Sequence, residues 1–208
     1  MQNMWDERFA RPDFVYGEAP SAFIKENAYR LKAGGSILAG GDGEGRNSVW
    51  LARQGFRVVN VDYSREGLKK TKILAGKYAV DVQTVCADLS AWNFPSEAFD
   101  SVIATFLHLP PEIRPVVHKK FIQALKPGGW LLLEAFHKSQ LGLSSGGPKN
   151  PELLFEVEDL LKDFAGSGQI DCRMVEKHLD EGPGHQGLAR VVDCLVQKKG
   201  RIRRQCRE

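Results

Sequence analysis

No run of 18 apolar residues occurs in the chain, so a membrane-spanning helix is not expected. The opening MQNMWDERFARPDF is charged and aromatic and lacks the apolar core of a secretion signal, so the expected location is cytoplasmic. Cysteine is scarce. Cys86, Cys172, Cys194 and Cys206 show no C-x-x-C spacing, so neither a disulfide framework nor a metal site is expected. The first three fall in strand-like runs and read as small buried apolar residues. Internal repeats and low-complexity segments are also lacking.

A basic body is lacking too, although the formal net charge is +3. The tail Lys198–Glu208, KKGRIRRQCRE, holds six Lys/Arg and one Glu, and removing its +5 leaves −2 for residues 1–197. Nucleic acid is therefore not an expected partner. At 208 residues, with 42% hydrophobic and 26% charged residues, the chain suits one folded domain with a substantial core. The expected organisation is an aromatic lid and helix over 1–35, a ligand-binding domain over 36–197 and a disordered basic tail over 198–208.

What is present centres on Ser36–Tyr63, SILAGGDGEGRNSVWLARQGFRVVNVDY. It reads as strand, glycine loop, helix, turn and strand, ending on an acid: a βαβ unit with a right-handed crossover. Gly40, Gly41, Gly43 and Gly45 crowd the loop. Glycine lets backbone approach a ligand and turn with positive φ, and the loop delivers the chain into a helix N-terminus. Asp62 follows Gly41 by 21 residues, at the tip of the neighbouring strand, where a carboxylate can accept from both hydroxyls of a ribose. The unit predicts a nucleoside-containing ligand. No G-K-[ST] is present, which excludes a P-loop, and Gly41-x-Gly43-x-Gly45 is one residue shorter than the dinucleotide fingerprint.

The rest of the chain alternates. Helix is expected over 20–31 and 65–78, strand over 82–86 and 99–106, helix over 112–125, strand over 130–136, a glycine-rich loop over 137–150 and helix over 151–164. Strands over 170–178 and 188–197 close the pattern through the turn DEGPGHQG. So short a link cannot make a parallel crossover. The predicted fold is α/β: a Rossmann-like, doubly wound seven-stranded sheet, mostly parallel, with an antiparallel last strand and helices on both faces.

Gly41–Gly45, Asp62, Ala87-Asp88-Leu89, Phe99-Asp100 through Thr105 and Leu125-Lys126-Pro127-Gly128-Gly129 occur in an order and spacing that resembles the class I S-adenosylmethionine (SAM) methyltransferases. The opening W-D-x-R-F…Y-G-x-x-P, with Gly43-Glu44-Gly45-Arg46-Asn47, is similar to the tellurite-resistance and thiopurine-methyltransferase-like branch. The resemblance implies SAM as cofactor, held by Gly41, Gly43, Gly45, Asp62, Tyr63, Asp88, Leu89 and Thr105, with Tyr16 brought over by the lid. Asp88 would meet the adenine amino group and a neighbouring backbone N–H would read the ring. Two features depart from the pattern. The acid often found two residues before the first loop glycine is Ala39 here, leaving the methionine amino group to backbone carbonyls. The [DN]-P-P-[FY] motif of base-amine methyltransferases is absent after strand four, which disfavours such substrates.

Methyl transfer from a sulfonium needs an in-line nucleophile at about 3–3.5 Å and exclusion of water. Soft nucleophiles, thiol or chalcogen-like, ionise near neutral pH and need little base catalysis. The expected partner is a small-molecule methyl acceptor, and the expected state a monomer or weak dimer. His108 and His137, at the ends of strands four and five, are the candidate bases. Each also reads as a histidine satisfying a loop carbonyl. Arg11, Phe106 and His185 are candidate acceptor contacts. The aromatic segment of Trp5, Phe9, Phe14 and Tyr16 reads as a lid over the crevice or as a flap packed on the core. The competing functions are a non-catalytic SAM-binding or scaffold protein and a nicotinamide-dependent oxidoreductase.

Overall fold

The computed structural model describes residues 2–201, so the reading of the basic tail falls, beyond Arg201, outside the described residues. The chain runs α1 (Gln2–Phe9), α2 (Ala22–Asn27), β1 (Ser36–Gly40), α3 (Arg46–Arg53), β2 (Arg57–Asp62), α4 (Arg65–Lys77), β3 (Gln83–Cys86), β4 (Phe99–Thr105), α5 (Arg114–Ala124), β5 (Leu125–Phe136), α6 (Val157–Asp163), β6 (Gly168–Asp180) and β7 (Gln186–Lys198). The seven strands form one sheet in the order β3-β2-β1-β4-β5-β7-β6. Strands β1 to β5 pair in parallel, and β7 runs antiparallel between β5 and β6. The predicted seven-stranded sheet with its antiparallel last strand is the one observed.

Alternation along the central strands divides the core into two layers. Leu38 in β1 and Leu131, Leu133 and Ala135 in β5 face Phe121, Phe155 and Phe164 on the α5/α6 side. Ile37, Ala39 and Leu132 face Phe23, Ile24, Leu51 and Leu74 on the α2/α3/α4 side. Every residue of β4 is buried, because helices cover both of its faces. Each fully buried Leu or Phe of these layers contributes about 1.5–3 kcal/mol of transfer free energy. The packing holds the carboxyl ends of β1, β2 and β4 as a rigid rim.

Local rules explain the element boundaries. Ser21 caps α2 through Phe23 N–H, and Ser64 caps α4 through Gly67 N–H. Gly55, at φ +88°, follows the C-cap of α3. Gly129, within β5, leaves no room for a side chain, because a Cβ there would lie 2.7 Å from Asp100 O.

Several expectations need correction. The helix expected over 20–31 is α2 followed by a 3-10 turn at Ala28–Arg30. The helix expected over 151–164 is a 3-10 turn at Pro151–Leu153 followed by α6. Between them Phe155 N–H donates to Phe136 O and Lys138 N–H to Phe155 O, and this bridge holds residues 154–156 extended. Cys86 is exposed rather than buried. Cys172 and Cys194 form a disulfide: the β6–β7 register sets them directly opposite one another, a pairing that spacing along the chain does not reveal. Among the described residues no helix is long and apolar enough to cross a membrane.

Candidate functional site

At the carboxyl end of β1 the chain enters the glycine loop with positive φ at Gly41 (+70°), Gly43 (+51°) and Gly45 (+82°). The sequence reading assigned these glycines to ligand approach. The structure gives each a packing reason as well. A Cβ on Gly41 would lie 2.7 Å from the Leu107 side chain, one on Gly43 2.9 Å from Phe9, and one on Gly45 2.5 Å from Thr71.

Asp62 ends β2 beneath this loop. Its Oδ2 accepts from Gly43 N–H at 2.9 Å and its Oδ1 from Ser64 N–H at 2.8 Å. Burial pushes its carboxyl up to about 6, with the two amide bonds opposing the rise. Each oxygen carries a further lone pair for an incoming hydroxyl. Tyr63 follows, half-buried, its hydroxyl pushed up to about 12, chiefly by burial. Asp88 is exposed in the turn after β3, where its Oδ1 accepts from the N–H and Oγ of Ser90, each at 2.7 Å. Leu89 is buried in the core behind it. Thr105 ends β4, its Oγ1 accepting from Asn47 Nδ2 at 2.9 Å. Phe106 then takes φ +53°, a left-handed conformation that costs a bulky residue about 1–3 kcal/mol. Its N–H is held by Glu134 O at 2.7 Å.

Ala39 is fully buried. The two acids of the loop are occupied by the protein itself. Asp42 accepts from Ser48 N–H (2.8 Å), Ser48 Oγ (2.6 Å) and Asn47 Nδ2 (2.7 Å), capping α3. Glu44 accepts from Val15 N–H (2.9 Å), Tyr16 N–H (3.3 Å) and Lys70 Nζ (2.7 Å). Glu44 thereby straps residues 15–16 to the loop. Asp6 of α1 accepts from Ser64 Oγ at 2.7 Å, fixing the aromatic N-terminal helix near the same rim.

The strap carries Tyr16, whose hydroxyl accepts from Arg8 Nη1 at 2.9 Å and is raised in pKa by burial. The Tyr16 ring lies 4.4 Å from His185, which lies 4.3 Å from Phe106 and 5.2 Å from Phe136. Three distant candidates, Tyr16, Phe106 and His185, are thus brought into one aromatic cluster. Arg11 is exposed and lies outside it.

The two candidate bases are both tied to loops. His108 Nδ1 donates to Leu153 O at 2.7 Å, and burial lowers its pKa to about 4. Its buried Nε2 has no hydrogen-bond partner among the described residues. His137 Nδ1 meets Ser139 Oγ at 2.7 Å and its Nε2 lies 2.8 Å from Glu156 Oε2, so both nitrogens are engaged. Trp92 packs on Phe94, ring centroids 4.6 Å apart, against the α5/α6 core layer.

Residues that the sequence reading missed form two buried charged networks. Arg46 Nη2 bonds Glu181 Oε2 at 2.6 Å in a buried ion pair. Ser21 Oγ donates to the fully buried Glu134 at 2.6 Å, and Lys177 Nζ reaches the same carboxylate at 2.7 Å. Burial pushes Glu134 up to about 7 against the pull of Lys177. Charged residues inside predicted strands and helices were the available signal, but the pairing needs the tertiary fold. Two surface cavities of about 700 and 280 Å³ share Pro111, Arg114 and Asp159, and neither is lined by a glycine-loop residue.

A methyltransferase domain family matches residues 37–129. Phosphoethanolamine N-methyltransferase 3 of Arabidopsis thaliana is 31% identical over 112 residues, 51% of this chain and 23% of that one, so the chain spans about a quarter of that relative's length. Thiopurine S-methyltransferase of Legionella pneumophila is 23% identical over 214 residues, 92% of this chain and 95% of that one. The crystal structure of TehB from Haemophilus influenzae superposes with a TM-score of 0.66 at 18% identity, covering 95% of this chain and 66% of that one.

SAM fits the residues present. Asp62 has lone pairs to spare for ribose hydroxyls, Asp88 offers an exposed acceptor at the neighbouring strand end, and the glycine loop opens onto a helix N-terminus. The ordered motifs and the sheet topology agree with these comparisons: residues 37–129 match a methyltransferase domain family, and the chain shares its fold with the solved neighbour above.

Proposed function

We propose that this protein methylates a soft nucleophile, thiol or chalcogen-like, on a small molecule. SAM supplies an electrophilic methyl group, and no covalent enzyme intermediate is needed. In this reading Asp62 holds the ribose, Asp88 and the backbone at Leu89 read the adenine, and Gly41, Gly43, Gly45, Tyr63, Thr105 and Tyr16 surround the rest. The observation that carries the acceptor class is the wall of Tyr16, Phe106, Phe136 and His185, which offers polarisable ring faces and one imidazole. Such a wall suits a nucleophile that ionises readily. The thiopurine relative, matched over nearly its whole length, supports a sulfur acceptor.

His108 serves as a hydrogen-bond acceptor through its unpartnered Nε2, since a group with a pKa near 4 is a poor resting place for a proton. His137 holds the 137–156 loop closed. Residues 36–197 act as the SAM-binding unit, and residues 1–35 as its lid. The acceptor is small, the −2 body does not attract nucleic acid, and the protein works as a monomer or weak dimer. The test is product analysis after incubation with SAM and matched thiols, alcohols and amines. Methylated thiols with equimolar S-adenosylhomocysteine are expected. Methylation of the amines alone would overturn the acceptor class.

A further inference from the structure

We infer that His185 is the group that takes the proton from the methyl acceptor, and that Glu181 is the residue that positions it. This rests on the methyl-transfer reading above. The turn between β6 and β7 is closed on itself: Glu181 N–H donates to His185 O at 2.9 Å, and His185 N–H to Gly182 O at 3.1 Å. Gly184 N–H donates to Val15 O at 2.9 Å, so the turn is docked on the strap that carries Tyr16. Side chains of the turn are therefore fixed relative to both the lid and the sheet.

Glu181 is fixed by two other partners. Its Oε2 accepts from Arg46 Nη2 at 2.6 Å and its Oε1 from Ala22 N–H at 3.3 Å. The same Oε2 lies 3.7 Å from His185 Nδ1, a buried nitrogen with no hydrogen-bond partner among the described residues. A carboxylate facing Nδ1 favours the tautomer with the proton there, and this leaves the Nε2 lone pair to receive another. Separations looser than a hydrogen bond are common before substrate is in place. Arg46 is the first residue of α3, directly after the glycine loop, so one buried ion pair links the cofactor loop to this imidazole.

Neither other imidazole near the rim has this arrangement. His108 faces a carbonyl through Nδ1, and His137 has both nitrogens engaged. The titratable and charged groups around His185 are Glu181, Arg46, Arg8, Tyr16 and His108. Burial, Arg46 and Arg8 lower the His185 pKa and Glu181 opposes them, so the ring rests neutral and able to accept a proton at pH 7.

The step balances. The acceptor S–H proton passes to His185 Nε2, and the sulfur electron pair forms the new S–CH₃ bond. The pair of the broken C–S⁺ bond stays on the departing thioether sulfur, and the imidazolium later releases its proton to solvent.

Two measurements test this. The first is a ¹⁵N NMR titration of His185 in the cofactor-free protein and in the Glu181→Gln variant. An Nδ1–H tautomer is expected in the wild type, with a pKa lower by about one unit in the variant, where the facing charge is gone. An Nε2–H tautomer or an unmoved pKa would overturn the assignment. The second is the rate of His185→Asn on a graded thiol panel. A loss of about 100-fold is expected for alkyl thiols, which are protonated at pH 7, and little loss for nitro-substituted aryl thiols, which are already ionised. An equal loss across the panel would mean a structural role. Should the wild type methylate no thiol, the acceptor class fails while the NMR titration still decides the pairing of Glu181 with His185. Should His185→Asn not fold, that titration decides alone.

Discussion

The parallel half of the sheet, β3-β2-β1-β4, and the antiparallel half, β5-β7-β6, hold their functional groups by different means. On the parallel side the groups are backbone amides and strand-end carboxylates that lie close together in the chain, as in the bond from Gly43 N–H to Asp62, 19 residues apart. Steric fit maintains them: glycines at positive φ packed on Leu107, Phe9 and Thr71. On the antiparallel side the groups are side chains gathered from afar. Ser21 meets Glu134 across 113 residues and Arg46 meets Glu181 across 135. Buried charge maintains these contacts, and buried charge tolerates the loss of a partner poorly. The glycine-loop side is thus a local motif, while the proposed acceptor side exists only once the whole chain has closed.

The largest expected effect falls on the antiparallel side. Glu134→Ala removes the buried carboxylate shared by Lys177 and Ser21, leaving Lys177 to Asp193 alone, and should cost about 3 kcal/mol in denaturant unfolding, with the m-value unchanged. A loss below about 1 kcal/mol would show that the network does not hold this half together. A smaller effect sharpens the parallel side. Gly45→Ala should cost about 2–3 kcal/mol, since a Cβ would meet Thr71 at 2.5 Å in a left-handed conformation. Gly55→Ala, equally left-handed but facing open space, should cost only about 1 kcal/mol. Equal costs would mean that backbone conformation alone, and not packing on Thr71, selects glycine in the loop.

This contrast also explains what could be read before the structure. The βαβ unit, the alternation of strands and helices and Asp62 at a strand tip follow from apolar runs, glycine placement and one timed acid, all local. The link between the last two strands was short enough to force an antiparallel pair. The proposed acceptor wall was legible only in part. His185 stood out as a histidine in a turn, but nothing in DEGPGHQG says that Glu181 faces Arg46. Glu134, inside the apolar run LLLEAF, gave no hint that Ser21 and Lys177 answer it. His108 and His137 were well placed by strand order, yet loop contacts engage three of their four ring nitrogens. Cys172 and Cys194 depend on hairpin register, which apolar alternation alone does not fix.

The most direct test is a calorimetric titration with S-adenosylhomocysteine and with NAD, at pH 7.5 and pH 5. Burial pushes the Asp62 carboxyl up to about 6, and ribose hydroxyls favour its ionised form. The ionised carboxylate that best accepts ribose hydroxyls is populated above about pH 6 and depleted as pH falls through that value. The account predicts binding of S-adenosylhomocysteine but not of NAD, weaker by about tenfold at pH 5, with the pH dependence abolished in Asp62→Asn. Binding of NAD alone, or binding of S-adenosylhomocysteine indifferent to both pH and Asp62, would contradict it.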